Sequence, residues 1–104
     1  LKDVRTKYGV TVNLSCEIRG KPCPRITWYK NGKIIDSGNK YWMHFYDGNT
    51  AKLTIHEASE EESGQYRCRA ENVFGMIESE CTVHVGANPL KNIPKSTLTL
   101  QRFT

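Results

Sequence analysis

The sequence predicts an all-β chain folded as a two-sheet antiparallel sandwich, and three observations predict it. Short segments alternating apolar and polar residues recur along the chain, the period that puts every second side chain of a strand on one face. Gly, Asn, Asp and Pro separate them at roughly eight- to twelve-residue intervals, as the turns of a sandwich do. Cys16 and Cys68 lie on the apolar sides of their segments, and Trp28 follows the first by twelve residues and precedes the second by forty. No window sustains the i, i+3, i+4 pattern of an amphipathic helix.

Each element follows in order. In "VTVNLSCEI", Val10, Val12, Leu14, Cys16 and Ile18 share one face, and Thr11, Asn13, Ser15 and Glu17 share the other. In "RITWYK", Ile26 and Trp28 alternate ahead of Asn31-Gly32, a pair suited to a two-residue hairpin turn because both central residues take positive φ. "KYWMHFY" is a strand closed by Asp47-Gly48, and "TAKLTI" puts Ala51, Leu53 and Ile55 together. "QYRCRA" turns Tyr66, Cys68 and Ala70 inward, and "ESECTVHV" does the same for Cys81, Val83 and Val85. Sheets about 10 Å apart let inward cysteines meet across the core, with one indole filling the space beside them. Tyr66, two residues before Cys68, has the place of a tyrosine corner, whose phenol returns to the backbone of the preceding loop. Gly64 supplies the tight turn before it, in a conformation that a Cβ hinders.

Taken in this sequence, "LKDVRTKYG", "VNLSC", "GKPCPRITWYKNGK", "LTIHEASEEESGQYRC" and "RAENVFG" resemble an immunoglobulin domain of the intermediate (I-set) type over residues 1–85. The first of these matches the strand that runs beside the last one, and the last matches the final hairpin. The resemblance implies that Met43 and Phe45 are buried while Trp42, His44 and Tyr46 face outward, which makes Trp42 a candidate contact residue. It implies that Phe74, at the hairpin tip, meets a neighbouring module in tandem arrays. Muscle domains of this family often carry a cysteine triad resembling Cys16, Cys68 and Cys81, within which disulfides form and exchange; packing as small buried apolar groups is the alternative. Three features depart from the family pattern. Glu62 stands where aspartate is usual, which implies a weaker salt bridge; Cys23 stands where proline is common; and the usual opening strand is absent or cut short before Leu1.

At 104 residues the chain is one domain whose core suffices without crosslinks, so a Cys16–Cys68 disulfide is permitted and not required. Cys23 and Cys81 are expected too far apart to bond, which favours a reducing compartment. Residues 1–85 hold twelve Lys or Arg and eleven Asp or Glu, and the rest of the +4 net charge comes from Lys91, Lys95 and Arg102. Such a balance suits protein partners and not nucleic acid; the resemblance implies neighbouring immunoglobulin-like modules among those partners. No apolar run approaches the roughly 18 residues of a membrane helix, so no membrane contact is expected. His44, His56 and His84 lack thiols or carboxylates at ligand spacing, and no nucleophile elbow or phosphate loop appears; neither cofactor, metal nor catalysis is expected. Asn13-Leu14-Ser15 satisfies the glycosylation pattern, but its mid-strand place argues against use.

Residues 86–104, "GANPLKNIPKSTLTLQRFT", form a basic tail in which Pro89 and Pro94 end the last strand. Leu98 and Leu100 alternate with threonines, as in a strand seeking a sheet edge, or the segment is a linker. The chain starts at Leu1 without an initiator methionine or a signal-peptide pattern and reads as a piece of something longer. The resemblance implies a non-catalytic module of a large intracellular scaffold of the titin-like muscle or actin-cytoskeleton type. The alternative is an extracellular adhesion or receptor module with Cys16 bonded to Cys68, and an accessory domain beside a kinase is compatible with the same residues.

Overall fold

The structure, a computed structural model, describes residues 1–47 and 49–88. Among the described residues there are eight strands: β1 Val4–Thr6, β2 Val12–Glu17, β3 Arg25–Lys30, β4 Lys33–Ile34, β5 Tyr41–Tyr46, β6 Thr50–Ile55, β7 Gly64–Asn72 and β8 Gly75–Val85. They form a five-stranded sheet in the order β1-β8-β7-β3-β4 and a three-stranded sheet in the order β2-β6-β5. Every pairing is antiparallel except that of β1, which runs parallel to β8 with Val4 opposite Val83 and Thr6 opposite Val85. The sequence predicts about seven strands. The additional one is β4, two residues long, which exists because Asn31 (φ 50°) and Gly32 (φ 83°) turn Lys33 and Ile34 back onto Lys30 and Tyr29.

The core lies between the sheets. Val12, Leu14, Ala51, Leu53 and Ile55 cover it from one side, and Trp28, Tyr66, Cys68, Ala70, Cys81, Val83 and Val85 from the other. Trp28 sits opposite Cys68 in the β3–β7 ladder and is 2% exposed. The inward set expected for β2 is buried or half-buried except Val10, which is exposed. Before β2 the chain bonds a loop instead of a strand: Ala58 N–H donates to Val10 O at 2.9 Å and Gly9 N–H to Ala58 O at 2.7 Å.

A single-turn helix, Glu60–Glu62, leads into β7. Ser59 donates to Glu62 Oε1 through its N–H (2.9 Å) and its Oγ (2.8 Å), and Lys40 Nζ lies 3.2 Å from the same oxygen. Glu62, in the place of the usual aspartate, thus makes a salt bridge to Lys40. Glutamate's extra methylene lets the carboxylate fold back onto the residue that starts the turn, as in a capping box, and still reach Lys40. Burial alone pushes the Glu62 carboxyl up, but the Ser59 hydrogen bonds and Lys40 together outweigh it and hold the group below its ordinary value. From β7, Tyr66 Oη donates 2.6 Å to the Glu62 carbonyl, so one glutamate is held at both its side chain and its backbone.

Candidate functional site

The outer faces of the two sheets differ in chemistry. On the five-stranded sheet, Arg67 sits 3.5 Å from Glu78 and 3.1 Å from Glu80, with its guanidinium 5.5 Å from the centre of the Tyr29 ring. Arg69 meets Glu71 at 3.6 Å, and Arg25 meets Glu71 at 3.7 Å. These charges pair with one another, across the strands for Arg67 and Arg25 and along β7 for Arg69.

The three-stranded sheet presents rings and hydroxyls instead. Its register lines up Asn13, Thr54 and Trp42 in one row and Ser15, Lys52 and His44 in the next. Thr54 Oγ1 donates to Asn13 Oδ1 at 2.9 Å. Trp42, 54% exposed, stands edge-on to His56 with ring centres 4.5 Å apart, and His44 and Tyr46 continue the row. Met43 and Phe45 are half-buried behind them. Sequence reasoning did not place His56 in this cluster; only the β5–β6 register does so.

At one end of the sandwich, Asn72 pairs with Gly75, and Val73 and Phe74 form the tip between them, more than four-fifths exposed. Asn72 Oδ1 accepts the Phe74 N–H at 2.9 Å and sets the turn. Met76 and Ile77 extend this exposed apolar run, which the sequence reading marked only at Phe74. Ile77 has the parity of the buried Cys81, yet it is 57% exposed, bordering a cavity of about 310 Å³ shared with Ile18 and Ala70.

The four cysteines are unpaired in this structure. Cys68 is buried on β7 and Cys16 half-buried on β2 across the core. Burial first, then the adjoining Cys16 thiol through charge and a side-chain hydrogen bond, pushes the Cys68 thiol up to about 12. A thiol so protonated at neutral pH is a poor nucleophile. In the β7–β8 ladder Cys68 faces Ser79, and Cys81 faces Tyr66. Cys81 is thus a diagonal neighbour of Cys68, at about 7–8 Å, beyond the usual Cα separation of a disulfide. Burial pushes its thiol up as well. Cys23 is exposed in the loop before β3. The structure therefore brings Cys16 and Cys68 together and sets Cys81 beside the tyrosine corner. Leu98 and Leu100 lie outside the described residues.

Among the described residues no cluster of His, Cys, Asp or Glu is arranged to hold a metal ion, and no helix is long and apolar enough to cross a membrane. The site is a set of surfaces around a packed core.

The arrangement has relatives. Residues 1–85 match the family model for the immunoglobulin I-set domain. The chain is 35% identical over 92 residues to the muscle M-line assembly protein unc-89 of Caenorhabditis elegans, a match covering 88% of this chain and 1% of that protein. It is 36% identical over 100 residues to vascular endothelial growth factor receptor 1 of Rattus norvegicus, covering 95% of this chain and 7% of the receptor. Both relatives are thus far longer than the stretch they share with it. Among solved structures, titin domain M7 superposes with a TM-score of 0.80 at 30% identity, covering 84% of this chain and 88% of that one. The tyrosine corner, the Trp28-centred core and the β1–β8 pairing are accounted for together: this chain belongs to the immunoglobulin I-set domain family.

Proposed function

We propose that this domain is a non-catalytic structural and protein-interaction module of a large intracellular scaffold, of the muscle or actin-cytoskeleton type, that bears load and positions partners. The observation that carries this reading is the parallel β1–β8 pair. The chain enters at the start of β1 and leaves after β8, so tension along the chain pulls the two strands past each other and loads all their hydrogen bonds at once. Gly86 N–H to Thr6 O (2.9 Å) and Thr82 N–H to Asp3 Oδ1 (2.8 Å) extend the clamp beyond the strand itself. The similarity to unc-89 and titin M7 supports a muscle setting. The exposed Val73–Phe74 tip offers a contact to a neighbouring module of the same fold, and the alternation around Leu98 and Leu100 offers strand addition to a partner.

Single-molecule stretching tests the load-bearing role. Thr6→Pro, which removes a β1 donor, is expected to lower the unfolding force well below that of Met43→Ala, a β5 change outside the clamp. Equal forces for the two would overturn the role.

The second reading is an extracellular receptor or adhesion module, favoured by the receptor relative and by Cys16 lying against Cys68. A thiol count on protein from its native source separates them: four free thiols support the scaffold reading, and two support the receptor reading.

A further inference from the structure

β5 is the outer strand of its sheet, and its open side has a definite chemistry. His56 N–H bonds Lys40 O and Asn49 N–H bonds Tyr46 O, so even-numbered residues turn their backbone groups towards β6. By the alternation of an antiparallel ladder, Tyr41, Met43 and Phe45 turn theirs outward. Of that outward set, Tyr41 O is taken by Gly38 N–H at 3.3 Å. The N–H and C=O of Met43 and Phe45 face out with no strand beside them among the described residues.

The other edges are guarded by the usual devices. β4 has two residues, one of them Lys33; β1 has three, with Arg5 in its centre; β2 ends in Glu17. β5 spans six residues, Tyr41–Tyr46, with no Lys, Arg, Asp, Glu, Pro or Gly. A strand that is uncharged, regular and rich in aromatic residues is a template for another strand.

We propose that β5 is a self-association edge on which two copies of this chain pair β5 to β5, antiparallel, about a two-fold axis at His44. The open backbone groups select this register. With His44 on the axis, Met43 of each copy stands opposite Phe45 of the other, and four hydrogen bonds use only the groups left open. A register centred on Met43 would need the Tyr41 carbonyl already bonded to Gly38, and one centred on Phe45 would need Asp47, whose φ of 57° takes it out of the strand. The same register is self-complementary in side chains. Trp42 meets Tyr46 of the second copy on the exposed face, and Met43 meets Phe45 at the rim, with no like charges opposed. The two sheets join into one continuous six-stranded sheet, and the isologous contact closes at two copies, so no filament forms. A contact one strand long lies at the small end of specific interfaces, so the dimer is reversible and populated at roughly tens to hundreds of micromolar. This pairing is independent of the load-bearing role and leaves β1 and β8 free.

Sedimentation velocity of the 104-residue chain from ~10 µM to ~1 mM is expected to show a monomer–dimer equilibrium. His44→Lys places two ammonium groups face to face on the axis and is expected to weaken the dimer at least about tenfold, with an unchanged circular dichroism spectrum because His44 is exposed. In a Cys23→Ser background, His44→Cys is expected to crosslink on mild oxidation, since directly opposed non-hydrogen-bonded residues lie about 4.5 Å apart. Ser15→Cys, on the β2 edge, is not. A monomer throughout the range, a dimer indifferent to His44→Lys, or equal crosslinking of the two cysteine variants would each overturn the proposal.

Discussion

At the scale of single residues, the turn before β7 rests on Tyr66 and Glu62. The Tyr66 hydroxyl gives its proton to the Glu62 carbonyl in a buried site, so Tyr66→Phe leaves that oxygen without its donor while the ring still fills its place. A loss of about 1–2 kcal/mol is expected in urea unfolding, the cost of one buried acceptor left unpaired. Glu62 contributes through its charge as well. Its folded pKa lies below the ordinary 4.5, so its stabilisation is complete above that pH and is lost as pH falls through the folded value. Glu62→Gln is therefore expected to flatten the decline in melting temperature between about pH 5 and pH 3; an unchanged acid slope would show that other carboxylates set it. The tyrosine was legible in the sequence because it stands two residues from a cysteine. The Lys40–Glu62 contact was not, because the β5–β6 register and the turn have to form before those two residues meet.

At the scale of elements, the Asn31-Gly32 turn and the start of β7 are one joint. Asn31 Oδ1 accepts the Gln65 N–H at 2.9 Å, and Asn31 N–H donates to Gln65 O at 2.8 Å. Gly64 lies against that side chain: a Cβ there would come 2.7 Å from Asn31 Oδ1, and its φ is 156°. Gly64→Ala is expected to cost about 1–2 kcal/mol through backbone strain and the displaced amide. In the Asn31→Ala background thermal unfolding should show a smaller loss for the same change, whereas additive losses would mean that the backbone alone sets the cost. Both glycines of this joint are recognisable as turn residues from their neighbours. That one turn braces the other is a matter of β3 and β7 being adjacent, a long-range pairing that no local pattern contains.

At the scale of the whole molecule, the sandwich sorts four chemically identical thiols into different environments. Cys23 is exposed, Cys16 half-buried, and Cys68 and Cys81 buried with their thiols pushed up. A thiol-reactive dye at neutral pH is expected to label Cys23 first and to reach Cys68 and Cys81 only after denaturant is added; early labelling of Cys68, followed by peptide mapping, would contradict the packing. The all-β class, the inward set around Trp28 and the tyrosine corner were determined by the sequence, because side-chain alternation and turn preference belong to each residue's own backbone; the hairpin tip at Phe74 was legible through the family resemblance. That Cys81 sits opposite Tyr66, that Glu62 reaches Lys40, that Ile77 is exposed and that β5 is an uncharged outer strand among the described residues were decided by the tertiary structure alone. Those features depend on strand order and register, set by the packing of distant segments and not by any segment's own pattern.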